Sequence, residues 1–174
     1  MRRRREKVEI TGEAEQIVSF RLGKETFGVK VAQVREIGKV QDITRIPRMP
    51  DFIEGVMNLR GQITTVVDLR KRFNIAPEDG QLRSAQSRII VAEIGGNQLG
   101  LIVDAVEDVM RVPKQSITEP PKNLITAVGV NGLNGICTLP TKLIMMLDMD
   151  RIMGEDELMK IMQNEREQKA ISTG

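Results

Sequence analysis

The spacing of apolar positions changes twice between residues 17 and 37. Val18, Phe20 and Leu22 alternate with Ile17, Ser19 and Arg21, which predicts a strand with one buried face. Gly23-Lys24 follows where a two-residue hairpin turn needs positive φ, and residues 26–30 return as a second strand. Apolar residues then fall on every third position, at Val31, Val34 and Ile37. That spacing predicts one face of a short helix, although β-branched side chains are poor helix formers.

The same pattern recurs. Residues 17–37 lie over residues 89–109 at a constant offset of 72, with identity at Ile17/Ile89, Gly23/Gly95, Gly28/Gly100, Val31/Val103 and Val34/Val106. The repeat supplies a second turn at Gly95-Gly96, a returning strand over 98–102 and a second three-residue spacing at Val103, Val106 and Val109. Further on, Gly55-Val56, Leu59 and Gly61 match Gly129-Val130, Leu133 and Gly135 at offset 74. ITTVVDL (63–69) then matches LIMMLDM (143–149) at offset 80, which implies a six-residue insertion in the second copy between those blocks. Two blocks in the same order indicate two homologous lobes.

Pro47 and Pro50 break the chain, Asp51 is placed to cap a turn of helix over 52–54, and strands follow over 56–59 and 63–67. Asp68 before LRKRF and Asp148 before MDRIM read as helix N-caps rather than catalytic acids. Residues 78–87 are polar and read as the linker between lobes, and Leu158, Ile161 and Met162 mark one narrow apolar face of a C-terminal helix that packs on its own barrel. Short strands punctuated by glycine predict a mainly β fold of two small barrels rather than a βαβ sheet.

Composition narrows what such a fold does. The formal charge of +2 conceals an uneven distribution: MRRRREK at the start carries five bases and one acid, leaving the body with 21 bases against 23 acids. The start reads as a solvated basic tail, and no apolar segment follows it as a secretory signal requires. A nucleic-acid-binding barrel would want a basic face and stacking aromatics; this chain has four Phe and no Tyr or Trp. With no histidine the common general base and the Ser/His and Cys/His nucleophile pairs are unavailable. The single Cys137 excludes an intramolecular disulfide and reads as a buried, inert thiol. The glycines of GVNGLNG (129–135) lack the Lys-Ser/Thr of a phosphate loop and read as a duplicated turn. No catalytic residue, metal site or cofactor is expected; a hydrolase using carboxylates and a metal is the residual enzyme reading, without support in the spacing.

Three stretches, FRLGKETFGVKVAQVREI, ITRIPRMPDFIEGVMNLRGQITTVVDLRKRF and GLIVDAVEDVM, resemble the CheW family of chemotaxis coupling proteins, NLRG followed by VVDLR being the most specific part. The similarity runs from about residue 16 to 153. It implies two pseudo-symmetric five-stranded SH3-like β-barrels sharing a hydrophobic seam (16–153, copies 17–73 and 89–153, interwoven), between a disordered tail (1–15) and a C-terminal helix and tail (154–174). It further implies a non-enzymatic adaptor that bridges the cytoplasmic tips of chemoreceptors and the CheW-like regulatory domain of the histidine kinase CheA, in the cytoplasm at receptor arrays, with no cofactor. A CheW-like module from the end of the kinase or from a receiver fusion is the other origin of such a sequence. Carried over by position, the receptor groove falls on Val31, Val34, Glu36, Asn58 and Arg60, with Val103 on the opposite wall; the kinase contact falls on Ile43, Arg45, Ile46 and Gly55. Read from the residues alone, Val31 and Val34 are core positions and Arg60 a solvated turn charge. The Met-rich LIMMLDMDRIM departs from the family's β-branched pattern, and its methionines either mark an interface or fill a core short of aromatics.

Overall fold

A computed structural model of the chain describes residues 12–77, 83–123 and 132–172. Most of the basic tail, part of the linker (78–82) and Gly129-Val130 of the second repeat block lie outside the described residues.

The strands are β1 (Ala14–Leu22), β2 (Glu25–Lys30), β3 (Val34–Lys39), β4 (Ile53–Leu59), β5 (Gln62–Asp68), β6 (Arg88–Ile94), β7 (Asn97–Val103), β8 (Ala105–Pro113), β9 (Ile117–Thr118), β10 (Leu133–Thr138) and β11 (Leu143–Leu147). The helices α1 (Leu69–Arg72) and α2 (Glu155–Ser172) and short 3₁₀ turns accompany these strands among the described residues. The strands form a six-stranded sheet in the order β8-β1-β2-β11-β10-β9 and a five-stranded sheet in the order β3-β6-β7-β5-β4. Each sheet is therefore a hairpin from one copy completed by strands of the other.

Register makes the duplication explicit. Ile17 pairs with Lys30 and Phe20 with Phe27; their counterparts 72 residues on, Ile89 with Ile102 and Ala92 with Leu99, pair in the same way. The exchange of strands between copies is reciprocal: Val34 of β3 pairs with Ala92 of β6, and Val106 of β8 with Phe20 of β1. The parallel contacts match too, Thr65 with Leu99 and Met145 with Phe27.

Three expectations are corrected here. The predicted helix through Val31, Val34 and Ile37 is a 3₁₀ turn (Val31–Gln33) running into strand β3, and Val103, Val106 and Val109 lie on β7 and β8. Bulges explain the spacing of three. One extra residue is inserted between Val34 and Glu36 opposite β6, and the corresponding shift in β8 lies between Val106 and Asp108. The predicted turn of helix over 52–54 is instead a turn closed by the Ile53 amide donating to the Pro50 carbonyl at 2.9 Å, from which β4 starts directly. The second repeat block is also misaligned by the sequence. Gly55 pairs with Val66 and Gly135 with Met146, with the same bulge at Ile53/Gly55 and Leu133/Gly135. The true offset is thus 80 throughout this block, Leu59 matches Leu139, and the insertion precedes β10.

Packing follows from the two curled sheets. One apolar cluster (Met57, Val66, Ile89, Val91, Ile102) lies within the five-stranded barrel and a second (Ile17, Val112, Cys137, Leu139, Ile144, Met146) within the six-stranded one. The largest cluster forms the seam, where Phe20, Phe27 and Phe73 stack with centroids 6.2 and 6.1 Å apart. With both faces of β1 covered, Ile17 and Ser19 are buried along with Val18 and Phe20, not exposed as one-sided alternation suggested. Met145, Met149 and Met153 fill the seam and Met146 a barrel interior, so these methionines are core. Both expected caps form: Asp68 accepts from the Arg70 and Lys71 amides, and Asp148 from the Asp150 amide. Helix α2 lays Ile161 and Leu158 on the seam and accepts the Thr65 hydroxyl at Glu165, 2.9 Å away.

Candidate functional site: two faces of the five-stranded barrel

The first face centres on β3. Val31 opens the 3₁₀ turn and Val34 opens β3; both are half-buried and pack on the seam. Gln33 fixes this corner, donating to Asp148 Oδ1 at 3.0 Å and accepting the Met149 amide at 3.2 Å. Glu36 reaches across to Arg60 in the β4–β5 turn at 3.1 Å. Because β3 and β4 are opposite edges of their sheet, this pair shows the sheet curling until its edges approach, the closure of a barrel.

The Arg60 side chain is 81 % exposed and Glu36 30 %, so the pair stabilises little by itself and both groups are open to a partner. Arg60 adopts φ 52° and Gly61 φ 83°, a two-residue turn that swings the guanidinium outward. Asn58 is exposed, with Oδ1 accepting the Gly61 amide at 2.7 Å, so it shapes the turn that presents Arg60. These five expected receptor-face residues fall on the turn, β3 and the β4–β5 hairpin of one barrel. Val103 does not join them. It is fully buried in the seam (0 % exposed), which corrects its expected place on a groove wall.

The second face is the segment after β3. Thr44 makes a two-bond bridge to Val56, amide to carbonyl both ways at 2.8 and 2.9 Å, and Ile43 packs on the barrel interior. Arg45 is exposed and Ile46 half-buried beside it. Gly55 is buried, with φ 146°, and a Cβ there would lie 2.1 Å from the Thr44 carbonyl oxygen. It therefore offers no surface to a partner, contrary to the expected direct contact, and serves by admitting the segment against β4.

Other charged groups hold the halves together. Arg70 pairs with Asp104 at 3.2 Å, both largely buried, and the Gly23 amide donates to Asp104 at 2.6 Å. Burial raises the Asp68 carboxyl above its ordinary 3.8, against the lowering effect of the amides it caps and of Arg70. A cleft of about 470 Å³ lined by Glu15, Lys30, Asn134 and Asp148 opens on the six-stranded barrel. Cys137 is buried, its sulfur 3.6 Å from the Ser116 hydroxyl. Among the described residues no cluster of three or more metal-ligating side chains occurs, and no helix is long and apolar enough to cross a membrane.

Sequence reasoning missed Ile37 and Val109, matching positions on the outer strands β3 and β8 that are 38 % and 51 % exposed, because it assigned both stretches to helices.

Fold and faces define a class: a duplicated, strand-exchanged pair of small β-barrels with exposed features on strand edges and turns. Known proteins give it a family. The family model for a CheW-like domain matches residues 16–157, and the chain belongs to that family. It is 31 % identical to the chemotaxis protein CheW of Treponema pallidum over 161 residues, covering 91 % of this chain and 93 % of the relative. The CheW of Bacillus subtilis is 30 % identical over 142 residues, 82 % and 88 % of the two chains. Among solved structures, the scaffolding protein TtCheW of Thermoanaerobacter tengcongensis superposes with a TM-score of 0.73 at 38 % identity, covering 81 % of this chain and 98 % of that one. The chain is thus a member of a family of chemotaxis scaffold proteins.

Proposed function

We propose that this protein is a non-enzymatic adaptor coupling chemoreceptors to the histidine kinase CheA, acting in the cytoplasm at the receptor array. The observation that carries the reading is the family match along residues 16–157, which takes in both barrels and both faces described above. Val31, Val34, Glu36 and Arg60 form the receptor face, with Asn58 shaping its turn. A receptor tip that is a helical hairpin would lay apolar side chains on Val31 and Val34, while the Glu36–Arg60 pair sets register more than affinity. The kinase's CheW-like regulatory domain is held separately, at Ile43, Arg45 and Ile46.

The test is retention of purified receptor cytoplasmic fragments and full-length CheA from the same genome on the immobilised protein. Both partners in one complex supports the adaptor; neither, with folded protein, refutes it. Arg60→Glu should weaken receptor retention while leaving kinase retention and melting temperature nearly unchanged. Equal loss of both partners would refute the separation of faces.

A further inference from the structure

Three described non-glycine residues have positive φ: Arg48 (65°), Arg60 (52°) and Asn74 (55°). Two have local explanations. Arg60 precedes Gly61 in a hairpin turn, and asparagine enters the left-handed region at low cost. Arg48 has neither. It is exposed between Pro47 and Pro50 and makes no hydrogen bond or ion pair among the described residues. Arg45, three positions earlier, is likewise exposed and has no hydrogen-bond or ion-pair partner among the described residues.

The segment bearing both is firmly seated. Ile43 and the Thr44–Val56 bridge hold one side, and Met49 packed on the seam with the Pro50–Ile53 hydrogen bond holds the other. Two guanidinium groups thus flank half-buried Ile46 and exposed Pro47 on a preorganised support. The duplication supplies a control. Thr118 pairs with Ile136 as Thr44 pairs with Val56, so Glu119 occupies in the other barrel the place of Arg45. At the same offset Lys122 stands in the place of Arg48, so the second barrel keeps one basic group there and the pair of guanidinium groups belongs to one barrel only.

We propose that Arg45 and Arg48 form a two-point clamp for paired carboxylates flanking an apolar contact on the kinase's docking surface. The clamp rests on the kinase-coupling reading above. Guanidinium–carboxylate hydrogen bonds are strong and directional, and left-handed backbone at Arg48 is tolerated because it aims the side chain.

Binding of full-length kinase to the full chain would be measured at low and high salt, with melting temperature and receptor retention recorded in parallel. Arg48→Asn, which keeps the turn and removes the charge, should weaken kinase binding about tenfold and flatten its salt dependence, with receptor binding unchanged. Adding Arg45→Ala should weaken it further. Arg48→Gly should weaken binding equally yet raise the melting temperature by about 2–4 °C by removing the strain. Unchanged kinase affinity in the double variant, with wild-type binding intact, overturns the clamp alone. A lowered melting temperature in Arg48→Gly overturns the claim that Arg48 is held against strain. Failure of the wild type to hold the kinase refutes the coupling reading and the clamp with it.

Discussion

Single residues in this protein act mainly through backbone and charge placement. Gly55 is the sharpest case. Its positive φ and the 2.1 Å approach of the Thr44 carbonyl leave no room for a side chain, so Gly55→Ala must expel the 43–46 segment from β4. We expect a loss of about 2 kcal/mol or more in urea denaturation, with Thr44 and Val56 amide protection lost first. Glu36 and Arg60 act differently, since both are partly solvated and pair across a closure the cores already enforce. Exchanging them (Glu36→Arg with Arg60→Glu) should leave stability within about 0.5 kcal/mol. Receptor affinity should nevertheless remain low in the exchanged protein if the receptor reads each charge; full recovery would assign the pair a purely structural part. Asp68 adds a pH dependence. With its folded pKa above 3.8, the native state holds more protons than the unfolded chain in the window just above that value, so this group lowers stability as pH rises through it. Asp68→Asn keeps an N-cap acceptor and cannot ionise. Its stability relative to wild type should therefore grow from acid toward neutral pH in urea titrations, and a difference independent of pH would contradict the assignment.

At the scale of elements, legibility depended on whether a pattern had one physical cause. The hairpins around Gly23 and Gly95-Gly96 were readable because positive φ at those turns is a local requirement that glycine advertises. Asp68 and Asp148 were readable as caps for the same kind of reason. The bulges in β3 and β8 were not, since inserting one residue into an alternating strand yields the three-residue spacing of a helix, and only pairing with β6 and β1 distinguishes them. The candidate faces divide likewise. Arg60 stands in the exposed turn that Arg60-Gly61 predicted, with Asn58 on the strand before it, whereas Val103 and Gly55, carried over by position, vanish into the seam and beneath Thr44, burial that no local pattern announces. Helix α2 was legible from Leu158, Ile161 and Met162, but not its anchorage. Leu158 Cδ1 sits 2.9 Å from where a Cβ on Gly95 would be, and Glu157 accepts both the Gly154 amide and Arg72. Ile161→Ala should cost about 2–3 kcal/mol, and hydrogen exchange should show α2 opening before either sheet. Simultaneous opening would mean that the helix belongs to the cooperative core.

For the whole molecule, the consequence of duplication is exchange rather than tandem repetition. β3 of the first copy completes the sheet of the second, β8 of the second completes that of the first, and β5 and β11 cross in parallel to the opposite hairpins. Neither copy therefore contains a complete barrel, and the seam holding Phe20, Phe27, Phe73, Ile90, Leu101 and Leu147 draws on both. A chain divided within 78–82 should yield two halves that are each unfolded by circular dichroism, because each would expose its seam residues and leave its hairpin without the flanking strands. Mixed at equal concentration, they should recover the strand signal and a cooperative melt whose midpoint rises with concentration, as a bimolecular assembly requires. A half that folded alone would show that one copy can close a barrel from its own strands. Reassembly from two unfolded halves would instead place the seam at the centre of stability. The faces proposed for receptor and kinase, both set on β3, β4 and their connections, would then depend on a core to which the second copy contributes as much as the first, and a lesion in β6 or β7 is expected to abolish binding at both without touching either.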